Sequence, residues 1–268
     1  AAEVPFPNDE HNMAHKKEWY RRAVRDAGGE IWFGAITFGA CVENGRVRGV
    51  EIATPQGRGL VLADVIIDST GNADVAAAAG AGTLHGATED GKIAQQGAGL
   101  PPWPLGASYV NTDYLLVDET DMMDVWRALV GARMAMDPKH FDVAPLIQTR
   151  ERRRIVGDHV LEYMHQVAGR TFPDTVVASR SDYDSHGYPN DDYFALMPHT
   201  EESLQALHPA PAGNCSTPYR CLLPRGLDGI LVTGLGISMK RDASAMVRMQ
   251  HDLANQGYAA GVAAAMAV

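Results

Sequence analysis

The sequence predicts an α/β fold, and three features carry that reading. Two short apolar runs rich in β-branched residues, Val65-Ile66-Ile67 and Ile230-Leu231-Val232, have the pattern of strands buried on both faces, as in a parallel sheet. Each run ends in a glycine-bearing turn, Asp68-Ser69-Thr70-Gly71 and Thr233-Gly234-Leu235-Gly236, with helical composition expected from Asn72 and from Lys240 onward. Upstream, β-rich segments flank Glu43-Asn44-Gly45, a sequence suited to a tight hairpin turn.

The remaining elements follow in chain order. Residues 1–10 read as a loose lead-in. Residues 11–27 form a surface helix with Trp19, Ala23 and Val24 on one side and Lys/Arg on the other, closed by Gly28-Gly29. Residues 31–33 and 36–42 read as strands, the hairpin leads into 47–53, and Pro55-Gln56-Gly57 turns the chain into 59–62. Residues 80–104 are Gly- and Pro-rich without a clear period. A helix is expected over 121–134, with Met122, Val125, Trp126 and Leu129 as a core stripe. Residues 147–166 are arginine-rich in a mixed helical pattern, 179–218 are irregular and polar, and a long Ala/Gly helix runs from Lys240 to the end.

Composition narrows the function classes. The chain has 268 residues, 46% hydrophobic and 21% charged, which excludes disorder and collagen-like repeats. With 23 basic and 33 acidic side chains the net charge is −10, which argues against a nucleic-acid or anionic-membrane partner. The longest weakly polar run, 258–268, is too short to span a bilayer. Cys41, Cys215 and Cys221 are too few for a disulfide framework, a four-cysteine zinc site or a four-cysteine iron–sulfur cluster. A small-molecule substrate is the partner to expect.

Candidate chemistry is sparse. Gly80-Ala81-Gly82 and Gly97-Ala98-Gly99 do not follow a strand. Gly234-Leu235-Gly236 does, but Met239 holds the third glycine position of a dinucleotide fingerprint. Read differently, the turns at Thr70-Gly71 and Gly234-Gly236 sit side by side at one sheet edge, where α/β proteins bind ligands. The ten histidines show no metal-ligand spacing. Asp184-Ser185-His186 places a carboxylate and an imidazole in one loop, for acid–base work or as an ordinary surface feature. Arg150, Arg153 and Arg154 would share a helical face. That face is either solvated, beside Glu151 and Asp158, or turned inward to bind an acidic group.

Several blocks taken together are more specific. They are Val65-Ile66-Ile67-Asp68-Ser69-Thr70-Gly71-Asn72-Ala73-Asp74, Pro218-Tyr219-Arg220-Cys221-Leu222-Leu223-Pro224-Arg225-Gly226, and Ile230-Leu231-Val232-Thr233-Gly234 running on to Arg248-Met249 and Gly257-x-Ala259-Ala260-Gly261. With Arg150-Glu151-Arg152-Arg153-Arg154-Ile155-Val156-Gly157 and Gly169-Arg170-Thr171-Phe172-Pro173-Asp174 between them, the chain resembles the FAD-dependent oxidoreductases related to heterodisulfide-reductase and fumarate-reductase-like flavoproteins.

The resemblance implies an FAD/NAD(P)-binding, Rossmann-like fold lacking its first βαβ unit, as in an N-terminally truncated member, with an inserted α+β cap domain. Residues 1–80 would be a partial FAD-binding domain with a β-meander, 81–215 the substrate or cap domain, and 216–268 the return to the FAD-binding domain. It implies FAD as cofactor and hydride transfer between a small substrate and the flavin. The alternative is a non-catalytic remnant or binding module that has lost the FAD fingerprint. Thr70 and Gly71 would approach the pyrophosphate or adenosine; Gly234, Gly236 and Ser238 would approach the ribityl chain and flavin. The helix after Ser238 would aim its positive end at the flavin. Arg150, Arg153 and His186 are the catalytic candidates; Arg248, along the last helix, serves packing or a substrate contact, and Asp74 serves the cofactor or, equally, the dipole of its own helix. Leu235 stands where that family usually has arginine.

Overall fold

The structure, a computed structural model, describes residues 13–85, 93–100, 102–103, 110–118, 121–134, 141–142, 152–180, 183 and 215–268. Helix α1 (Met13–Asp26) ends as its glycines require: Gly28 has φ +80°, and the N–H groups of Gly28 and Gly29 cap the carbonyls of Arg25 and Val24, each at 2.9 Å. Lys16 of this helix donates to the side chain of Gln250. A meander follows, β1 (Ile36–Glu43), β2 (Arg46–Thr54) and β3 (Gly57–Leu62), paired antiparallel in that order. Asn44 (φ 50°) and Gly45 (φ 76°) supply the two positive-φ residues of the β1–β2 turn. The strand expected over 31–33 is absent, because Gly34 at φ 74° turns the chain there and Trp32 and Phe33 are exposed.

Next come β4 (Ile66–Asp68), α2 (Asp74–Ala78) and β5 (Thr83–Leu84). The expectation of no regular structure over 80–104 is corrected by β5, by β6 (Ile93–Leu100) and by the short β7 (Pro102–Trp103). β6 pairs antiparallel with β8 (Val110–Asp118), a non-local pairing that its Gly-rich sequence does not announce. Helix α3 (Met122–Met134) forms as expected, but Met122 and Trp126 are exposed while Val125 is half-buried and Ala128 buried, so those two members of the expected stripe are not core. β9 (Phe141–Asp142) pairs with β7.

Over its described residues 152–162 the arginine-rich segment is not helical. It runs extended through β10 (Arg154–Ile155), which pairs with β5. Its N–H groups bond outward: Val156 to the Gly82 carbonyl (2.7 Å), Gly157 to the Ser238 hydroxyl (2.9 Å) and Leu161 to the Ser238 carbonyl (3.1 Å). Extended backbone alternates its side chains, so Arg153 and Arg154 do not share a face. Helix α4 (Tyr163–Val167) follows, and β11 (Thr175–Ser179) pairs antiparallel with β12 (Cys215–Pro218).

β13 (Ile230–Val232) pairs parallel with β4, Ile230 opposite Ile66 and Val232 opposite Asp68. After β13 the chain does not enter a helix at once. Residues 234–236 and 242–246 are single 3-10 turns, and the long helix α5 (Gln250–Ala267) starts ten residues after Lys240. The Lys240 N–H is spent on the Leu161 carbonyl at 2.8 Å, outside any helix. Arg248 therefore precedes α5 instead of lying along it.

One core gathers Val47, Ile66, Val75, Ala76, Ile155, Ile230 and Val232 around the β4/β13 pair. A second joins Leu161, Tyr163 and Phe172 to Leu222, Leu231, Ile237, Met239 and Ala260, so 152–180 share an interior with the C-terminal part.

Candidate functional site at the carboxyl edge of the parallel pair

Parallel β4 and β13 end side by side, and both turns leave at their carboxyl ends. Asp68 closes β4 with 1% of its surface exposed. Its carboxylate accepts from the Thr70 N–H (3.0 Å), the Thr70 hydroxyl (2.7 Å) and the Ala76 N–H (2.9 Å), fixing turn and helix together. The Thr70 hydroxyl in turn accepts from the Asp74 N–H at 2.9 Å. Both functions of that hydroxyl are thus used inside the turn. Across the edge, the hydroxyls of Ser69 and Thr233 lie 2.8 Å apart, and the Thr233 N–H donates to the Asp68 carbonyl at 3.0 Å.

The glycines divide into two kinds. Gly71 (φ +77°) and Gly234 (φ +80°) hold left-handed backbone, and a Cβ on either would meet nothing within 4 Å. They open outward. At Gly236 a Cβ would lie 3.0 Å from both the Cβ and the nitrogen of Ala73 and 3.2 Å from Val232 Cγ1. Its missing side chain lets the two turns pack against each other. Ser238 is fully buried, its hydroxyl accepting from Gly157 N–H, so it faces the interior and not the open edge.

Two residues that sequence reasoning missed complete the edge. Gln256 of α5, fully buried, accepts from the Gly234 N–H (2.9 Å) and donates to the Val247 carbonyl (3.1 Å). Asn72 accepts from the Arg153 N–H (2.8 Å) and donates to Asp74 (2.9 Å). Amide side chains within helical or turn-like sequence were the available signal. Arg153 itself reaches Asp74 at 3.1 Å, so it is brought to the first turn of α2. Asp74 therefore serves more than its own helix dipole. Arg154 is buried and donates to the Arg152 carbonyl at 3.0 Å. Arg150 and His186 lie outside the described residues.

A second cluster lies on the segment joined to Ser238. His159 stacks on His165 with ring centroids 5.2 Å apart, and the edge of Phe172 meets His159 at 4.9 Å. Arg170 sits over Phe172 at 5.1 Å. Burial, then the neighbouring His165, Arg220 and Arg170, hold the His159 imidazole below its ordinary value. Arg220 clamps Asp174 through two bonds of 2.9 and 3.0 Å and lowers its carboxyl. Burial pushes the thiols of Cys215 and Cys221 up to about 12.

Among the described residues no helix is long and apolar enough to cross a membrane, and no group of three or more His, Cys, Asp or Glu forms a metal-binding cluster. The edge suits a ligand that approaches backbone closely, since two left-handed glycines open side by side on a paired strand end. The class is that of mixed α/β proteins. The profile of the FAD dependent oxidoreductase family matches residues 6–146 and 122–268, so the chain belongs to that family. No curated protein and no solved structure matches it.

Proposed function

We propose that the chain passes a hydride between a small substrate and FAD, with the carboxyl edge of β4 and β13 as its cofactor edge. The observation that carries this is the pair of outward-facing left-handed glycines, Gly71 and Gly234, at neighbouring strand ends. With no Cβ in the way, backbone there can approach the cofactor closely. When bound, FAD supplies the two-electron chemistry, and the protein supplies orientation and electrostatics. Thr70 and Ser69 hold the first turn in place; Gln256 holds the second. Gly236 and Ser238 support the edge from behind, by packing and by the bond to Gly157.

We further infer that β4 and β13 belong to a larger dinucleotide-binding sheet, and that residues within 81–215 contribute the substrate side, where Arg150 and His186 remain the catalytic candidates. Arg153, tied to Asp74, anchors that side to the cofactor turn. A second reading, a binding module without FAD, is favoured by one observation: these 268 residues contain no strand–GxGxxG–helix unit.

Flavin titration followed by fluorescence and absorption separates the two readings. Weak, saturable binding is expected, lost in Gly234→Val while the fold survives. Binding that Gly234→Val leaves unchanged overturns the assignment of the edge. No binding up to about 1 mM FAD supports the module reading.

A further inference from the structure

At the opposite, amino-terminal edge of β4 and β13 lies a cavity of about 240 Å³. That is below drug-sized pockets and in the range of one small metabolite. Val65, Leu231 and Ala263 give it an apolar wall, and Arg46, Asp158 and Asp228 line it with charge. Arg46 is built in. Its guanidinium donates to the Asp64 carbonyl at 2.8 Å, and its stem occupies the space a side chain on Gly229 would need, with Cγ 3.1 Å from that missing Cβ. The Nη2–H bonded to Asp64 is the one hydrogen bond of this guanidinium with a described residue, and its Nη1–H groups are accessible and unbonded among the described residues, open to an incoming acceptor. Asp158 and Asp228 are exposed, and neither carboxylate has a hydrogen bond or ion pair with a described residue.

We propose that this cavity binds a small zwitterion with an apolar body, an α-amino acid with a branched aliphatic side chain. The carboxylate accepts from Arg46, the ammonium group donates to Asp158 and Asp228, and the side chain lies against Val65, Leu231 and Ala263. A free acid would face two carboxylates at the rim, and a free amine would set a second cation against the Arg46 guanidinium. The site lies at the other edge of the sheet from the cofactor turns and does not depend on flavin.

The test is calorimetric titration of the whole chain with L-leucine, with 4-methylpentanoate and 3-methylbutylamine as single-charge probes. Leucine should bind with a Kd of about 1 mM or tighter, and each single-charge probe about tenfold more weakly. Arg46→Met removes the acceptor's partner but also the bond to Asp64, so two further variants accompany it. Ala263→Phe fills the cavity from α5 and should abolish leucine binding while circular dichroism stays unchanged. Asp228→Asn should weaken leucine but not 4-methylpentanoate. Absence of leucine binding, equal binding of either single-charge probe, or leucine affinity indifferent to both Ala263→Phe and Asp228→Asn would overturn the proposal.

Discussion

Gly236 and Gly234 look alike in the sequence and do different work. The first lets Ala73, itself left-handed at φ 50°, press within 3.0 Å of where a side chain would begin. Gly236→Ala therefore forces the two turns apart and should cost about 1–3 kcal/mol in urea unfolding. The second faces open space and pays only for its backbone, so Gly234→Ala should cost about 1–2 kcal/mol from the left-handed conformation. Flavin affinity is the readout that separates them further, because only Gly234 opens toward the proposed ligand. The sequence marked both positions as special, since glycine after a buried strand is a local signal. Which glycine packs and which one opens depends on Ala73, more than 150 residues away, and no local pattern encodes that.

Among the elements, α5 departs most from expectation. Its Gly257 and Gly261 suggest close helix packing, with bulk at Gly261 expected to disturb it. Instead a Cβ at either position meets nothing within 4 Å. Both are exposed interior helical positions, where glycine is a cost and not a fit. Gly257→Ala and Gly261→Ala should each raise stability by about 0.5–1 kcal/mol, read as a higher thermal midpoint. What α5 contributes to the site is Gln256, an amide that reaches back to the Gly234 turn.

For the whole molecule, the pH dependence of stability tests the histidine stack. His159 is harder to protonate folded than unfolded, because burial and the facing His165, Arg170 and Arg220 oppose its charge while Asp174 alone favours it. Between its lowered value and the ordinary 6.5, the unfolded chain binds more protons than the native one. Stability is therefore full above about pH 6.5 and declines as the pH falls through that window. His159→Phe should flatten the decline in urea midpoints between about pH 8 and about pH 5. Asp174 acts elsewhere: Arg220 depresses its carboxyl, so its stabilisation holds above the ordinary 3.8 and is lost only as the pH falls below it. A decline between about pH 7 and about pH 5 that survives His159→Phe would assign it to another group.

Short-range chemistry in the sequence was enough to define the two short apolar strands, the hairpin at Asn44-Gly45, the close of α1 and the glycine turn after each strand; of the two strands only β13 is buried on both faces, since Ile67 of β4 is 36% exposed. β-branched apolar runs and positive-φ demands act within a few residues and so are written locally. That the two turns would lie side by side was expected from their strands; the tertiary structure alone decided the register of β4 on β13 and the contact of the turns through hydroxyls 164 residues apart. It also decided that residues 152–162 run extended. Their composition suits a helix, but Gly82 and Ser238 accept the N–H groups a helix would have kept for itself, and only the folded chain brings those acceptors within reach.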